Sequence, residues 1–324
     1  MSPPIPTPPP GPPRPNRRLS ARDPQVNGGS SPKLIGVAVD GNPSGRDAVV
    51  LGSLLARATG AELMLIAIHE EPLVPIALPG GMSWTALEKR ARMILTETRD
   101  SLAPDARIAV HADVLVWRGL RHVVRQEHRD LLVVGSAQKA DAGRVRLGRS
   151  AGELLGHLEC PLSIAPSGFQ QHTEKGLDRV GVGFDGTPES RAALDLAVSI
   201  ASSTGAALEV RSAIDDGVAG GLRTEQIVLE GNTVTERQLI SAFERDLAAT
   251  SSIGVPTNIE VGVGMPTDVL SELCDEVDLL VLGSGHSGPP GCVQPGGTGR
   301  AVLRLATRPV LVVPRPAAPP RHGR

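Results

Sequence analysis

The sequence predicts an α/β protein: two tandem, doubly wound, mostly parallel five-stranded sheets. Three observations predict it. A length of 324 residues suits two domains of ordinary size. The chain repeats itself, with "KLIGVAVDGNPSGRDAVVLGSLLARATGAELMLIAI" (Lys33–Ile68) lying over "DRVGVGFDGTPESRAALDLAVSIASSTGAALEVRSA" (Asp178–Ala213). The offset between the copies drifts only from 145 to 148 residues. Within each copy, short runs of Val, Ile, Leu and Ala alternate with helix-length segments. That alternation marks parallel strands covered on both faces by crossover helices.

Taken in order, the first copy opens with an apolar strand over 34–39, ending at Asp40. A helix over 43–59 starts at Pro43, where a first helical turn does not need the missing N–H, and stops at Gly60. Strands follow over 61–68, 107–115, 130–134 and 161–165, and helices over 84–102, 117–128 and 149–158. The second copy repeats the signals: Pro188 for Pro43, Gly205 for Gly60, "DLLVLGS" (Asp278–Ser284) for "DLLVVGS" (Asp130–Ser136), and "RPVLVVP" (Arg308–Pro314) for "CPLSIAP" (Cys160–Pro166). Before the repeats, "MSPPIPTPPPGPPRPNRR" holds too much proline to build a core. The expected organisation is a disordered Pro-rich arm over 1–32, a first domain over 33–166, a linker over 167–176, a second domain over 177–314 and a tail over 315–324. A PxxP arm of this kind offers a docking segment to a protein partner.

Composition narrows the function. Aromatic residues make up 2% of the chain, with no Tyr, and the net charge is −2. A duplex-binding surface needs a basic footprint and a single-strand surface needs stacking platforms, so nucleic acid is not an expected partner. Cys160, Cys274 and Cys292 lie far apart with no CxxC pair, which suits a reducing cytoplasm. No apolar run reaches the roughly 18–20 residues of a membrane span, and no apolar signal segment opens the chain. A soluble cytoplasmic protein without membrane contact is expected. No HExxH, paired-cysteine or GxSxG pattern occurs, so neither a metal site nor a catalytic residue is assigned.

Phosphate-binding patterns remain. Walker A is absent. A GxGxxG stands at Gly181, Gly183 and Gly186, with Glu209 following, and by itself invites a nicotinamide-dependent oxidoreductase. The repeat places its first two glycines inside a strand, whereas the dinucleotide fingerprint needs them in the turn after it. The third pattern is the loop after the fourth strand, "VVGSAQKADAGRVRLGRS" (Val133–Ser150) and its copy "VLGSGHSGPPGCVQPGGT" (Val281–Thr298). Gly-rich loops running into helices hold phosphate on backbone N–H groups.

With Asp40 and Asp185 each followed by Gly, the "VVGS" and "VLGS" strand ends, and the closing "ECPLSIAP" and "TRPVLVVP", the chain resembles a tandem member of the universal stress protein family over about 280 residues. The resemblance implies a stress-response regulatory module of nucleotide-binding α/β fold, its two sheets facing each other as an intrachain pseudo-dimer, with further homo-oligomers open to it. The final strands, 161–165 and 309–313, are the expected contact edges. The cofactor implied is ATP, with magnesium, held by a Gly-x2-Gly-x9-Gly-Ser/Thr loop and by the first-strand Asp near the base. Carried over, the first site comprises Asp40, Gly135, Ser136, Gln138, Gly148, Arg149 and Ser150. The second comprises Asp185, Gly283, Ser284, His286, Gly296, Gly297 and Thr298.

Both loops keep their length and lose part of their chemistry. Gln138 and His286 replace the second glycine, and Arg149 and Gly297 take the hydroxyl position. Each change costs on the order of 1 kcal/mol of binding. Arg149 works the other way, since a guanidinium grips phosphate bidentately. The first loop also carries Lys139, Arg144 and Arg146, whereas the second has no cation between Gly283 and Gly299 and seven glycines that leave it loose. ATP is therefore expected in the first half, with at most slow hydrolysis. The rival reading is a scaffold of the same fold that binds no nucleotide and acts through protein contacts.

Overall fold

A computed structural model describes residues 31–71, 84–171, 176–214, 226–229, 232–235, 241 and 255–317. The expected disordered arm before residue 31, residues 172–175 of the expected linker and the tail from residue 318 lie outside the described residues. The first half runs β1 (Leu34–Ala38), α1 (Pro43–Thr59), β2 (Glu62–Glu70), α2 (Trp84–Leu102), β3 (Arg107–Asp113), α3 (Val116–Gln126), β4 (Leu131–Gly135), α4 (Arg149–Leu154) and β5 (Leu162–Ala165). The second runs β6 (Arg179–Gly183), α5 (Pro188–Thr204), β7 (Ala207–Ile214), a small hairpin β8 (Gln226–Leu229) and β9 (Asn232–Thr235), β10 (Thr257–Val263), α6 (Pro266–Glu276), β11 (Leu279–Gly283), α7 (Gly297–Leu305) and β12 (Val310–Val313). The hairpin has no counterpart in the sequence reading.

The punctuation behaves as the residues dictate. Pro43 and Pro188 open α1 and α5, and Gly60 and Gly205 close them in the left-handed region at φ of 69° and 73°. Helix α4 ends earlier than expected: Leu155 turns to extended geometry and Gly156 takes φ of +81°. That break frees the Gly156 N–H to bond the Val293 carbonyl of the other half at 2.8 Å.

Ten strands form one sheet in the order β10-β7-β6-β11-β12-β5-β4-β1-β2-β3. Within each half every strand pair of this sheet is parallel, which gives the expected doubly wound arrangement. The halves do not face each other as two separate sheets. They meet edge to edge, because β5 and β12 each end a sheet with unpaired backbone groups and satisfy them by pairing antiparallel, Val310 opposite Ile164 and Val312 opposite Leu162. The expected contact edges are thus the seam.

Both faces of the sheet carry a core that crosses the seam. One joins Ile35, Val37, Leu51 and Leu55 of the first half to Val180, Val182, Ile200 and Leu311 of the second, under α1 and α5. The other joins Leu132, Leu154 and Leu158 to Leu280, Val302 and Val310, under α3, α4, α6 and α7. Residues 167–171 are held down as well. The buried Asp47 carboxylate on α1 accepts the N–H groups of Gly168 (2.9 Å) and Gln170 (2.8 Å) and pins a short 3-10 turn, Phe169–Gln171.

Candidate functional site

Strand β1 lies beside β4, and β6 beside β11, so each first-strand Asp and each Gly-rich loop leave the same edge of the sheet. In doubly wound sheets that carboxyl edge is where ligands sit. Asp40 is exposed; its Oδ1 accepts the Asn42 N–H at 3.0 Å and its Oδ2 accepts Asn42 Nδ2 at 2.9 Å. Asp185 is exposed too and accepts both the N–H (3.0 Å) and the hydroxyl (2.6 Å) of Thr187, the residue that caps α5. Both carboxylates therefore shape the turn into the next helix.

Gly135 and Gly283 are required by close approach. A Cβ at Gly135 would lie 2.0 Å from the Ser44 carbonyl oxygen, and at Gly283 2.5 Å from that of Glu189. Each strand end is pressed against the first turn of α1 or α5, next to the Asp. The following serines are buried and engaged. Ser136 Oγ donates to the Ala165 carbonyl (2.7 Å) and accepts the Arg146 N–H (3.1 Å), while Ser284 Oγ donates to the Val313 carbonyl (2.6 Å) and accepts the Gln294 N–H (2.9 Å). These hydroxyls close each loop onto its own final strand.

The remaining candidates lie further along the loops. Gln138 and His286 are exposed, as are Gly297 and Thr298, and Ser150 is half-buried. Gly148 and Gly296 are the N-caps of α4 and α7, and neither helix start has a side-chain cap. Arg149 stands 92% exposed, its Nε 3.3 Å from Glu153 one turn on. Arg146 reaches the Lys139 carbonyl at 3.3 Å, and Arg144 donates to the Leu305 carbonyl of the other half.

The second loop is less loose than its glycines predict. Arg315, beyond β12, donates to the Gly288 carbonyl at 2.9 Å and to the buried Glu189 carboxylate at 3.1 Å. A cation does serve this loop, from beyond the Gly283–Gly299 stretch. Glu189 occupies the position that Ser44 holds in the first half, so a carboxylate stands behind the second loop only.

The GxGxxG resolves as packing. Gly181 and Gly183 lie within β6, where a Cβ would meet Val277, Leu273, Leu270 and Leu282 at 3.0–3.2 Å. The helix needs that space, which removes the basis for the nicotinamide reading. Burial raises the thiol pKa of all three cysteines, that of Cys160 to about 12, so neutral pH leaves them as thiols. Among the described residues no group of three or more ligating side chains is placed to hold a metal ion, and no helix is long and apolar enough to cross a membrane.

Two residues escaped the sequence reading. Val145 and Val293, at equivalent places in the two loops, are 2% and 0% exposed. Their shared offset in the two loops is visible in the sequence, but the partners that bury them lie in the other half.

The family model described as "Universal stress protein family" matches residues 32–166 and again 176–314. The chain belongs to the universal stress protein family, as a tandem member. Universal stress proteins of Mycobacterium bovis and of Mycobacterium tuberculosis are each 25% identical to it over 237 residues, 71% of this chain and 78% of theirs. Among solved structures, a universal stress protein of Archaeoglobus fulgidus superposes with TM-score 0.61 at 16% identity, covering 89% of this chain and 97% of that one. A Pseudomonas aeruginosa structure gives TM-score 0.58 at 16% identity, over 87% of this chain and 93% of that one. These structural likenesses concern the fold.

Proposed function

We propose that this universal stress protein is a cytoplasmic stress-response regulatory module that binds ATP, with magnesium, in its first half. The units are residues 33–166 and 177–314, and the segment 167–176 joins them. Asp40 stands near the base, and Gly148, Arg149 and Ser150 stand at the phosphates through backbone N–H groups and the guanidinium. Ser136 supports the loop from behind, and Gln138 lies on its exposed side. The observation that carries the reading is the contrast between the loops. Both helix starts are uncapped, but the first sets Arg149, ion-paired at the surface with Glu153, where the second has Gly297. The second is backed by the Glu189 carboxylate, whose Arg315 is already engaged. Asp185, Gly283, Ser284, His286, Gly296, Gly297 and Thr298 accordingly form the weaker site. No general base is assigned to this site among the described residues, and the reading carries at most slow ATP turnover.

Calorimetric titration of the full chain with MgATP tests this. Wild type binds ATP, and Arg149→Ser weakens it by about tenfold or more. Tighter binding by Arg149→Ser would overturn the assignment. A second reading, a scaffold without nucleotide, draws on the way both loops are anchored across the seam. A folded chain that takes up no ATP yet retains a protein partner favours it.

A further inference from the structure

Each Gly-rich loop is fastened to the opposite half. Val145 N–H donates to the Ala306 carbonyl at 2.9 Å, and the Arg144 guanidinium donates to the Leu305 carbonyl. Leu305 and Ala306 are the last residue and C-cap of α7, whose N-cap, Gly296, ends the second loop. The second loop returns the contact. Val293 N–H donates to the Leu158 carbonyl at 2.8 Å, and its own carbonyl accepts the Gly156 N–H at 2.8 Å. Gly156 and Leu158 lie two and four residues beyond the end of α4, whose N-cap, Gly148, ends the first loop. The two valine side chains sit in one core with Leu154, Leu158, Val302, Leu303 and Ala306.

The contacts close a cycle: first loop, α7, second loop, α4, first loop. Helix α7, at nine residues, is a strut of about 13 Å whose ends are the two loops. A close-packed core does not absorb a shift at one end of such a strut, so the shift is carried to the other.

We propose that this cycle couples the two loops energetically, so that a change in one is registered in the other across the seam. Applied to nucleotide, the coupling makes the second loop a reporter of first-loop occupancy, and that application rests on the proposed ATP site. The coupling also explains why both loops keep their length while losing part of their phosphate chemistry: length is what the cycle needs.

Hydrogen–deuterium exchange on the full-length protein tests it without ligand. Val145→Ala speeds exchange about tenfold in residues 284–296, and Val293→Ala does the same in residues 136–147. A cavity with only local effect moves residues 302–306 in the first variant and 154–158 in the second, and exchange changes confined to those segments overturn the proposal. In a second arm, MgATP added to wild type slows exchange in 284–296, and the effect is lost in Arg149→Ser. Bound MgATP that leaves 284–296 unchanged also overturns it. If calorimetry shows that MgATP does not bind, the ATP assignment fails, and the valine variants alone decide the coupling.

Discussion

At Gly135 a methyl group would lie 2.0 Å from a backbone oxygen, whereas at Gly152, inside α4, it would meet nothing within 4 Å. The same substitution therefore has opposite signs. Gly135→Ala is expected to cost about 1–3 kcal/mol by overpacking, and Gly152→Ala to gain about 0.5–1 kcal/mol of helix propensity, both read from urea unfolding midpoints. His111 on β3 stacks on His122 of α3, ring centroids 4.7 Å apart. Burial first, then the charge of His122, with a smaller push from His69, hold the His111 pKa below 6.5 against the opposing pull of Asp113. The folded state thus favours neutral imidazole. Its stabilisation is complete above the unfolded pKa near 6.5 and is lost as pH falls below that value through the lowered folded pKa. An NMR titration of His122→Gln is expected to show His111 titrating at higher pH than in wild type; an unchanged or lower value would remove the pair from the explanation.

At the scale of elements, Asp47 and the turn it holds show where a sequence stops being informative. Residues 167–171 read as linker, because nothing local says that a carboxylate on α1 takes up two of their N–H groups. Asp47→Ala leaves those donors without it, and is expected to cost about 1–3 kcal/mol and to open residues 167–171 to protease. The strands and long helices were legible because their signals are local: apolar runs, a proline at the first turn, a glycine at the last. The C-terminal end of α4 and the roles of Val145, Val293, Glu189 and Arg315 were not, since each depends on a partner from the other half or from more than a hundred residues away. At Gly135 and Ser136, close approach to Ser44 and closure of the loop onto β5 account for both residue types.

At the scale of the whole molecule, the two halves share one ten-stranded sheet with a core on each face, and a seam buried on both sides ties the halves together. Trp84 and Trp117 both belong to the first half, so tryptophan fluorescence reports that half alone while far-ultraviolet circular dichroism reports both. The two signals are expected to unfold together in urea; fluorescence changing at a separate midpoint would mean that the halves unfold apart.

The central claim is that this double-domain universal stress protein carries its nucleotide in the first half. Equivalent positions in the two loops, Arg149 and Gly297, both face solvent, and a Cβ at Gly297 meets nothing within 4 Å, so a tryptophan fits either without strain in the core. The most direct measurement is the stoichiometry of MgATP binding, by calorimetry, to wild type, Arg149→Trp and Gly297→Trp. The account predicts one ATP per chain, retained in Gly297→Trp and lost in Arg149→Trp. Loss in Gly297→Trp with binding kept in Arg149→Trp would contradict it.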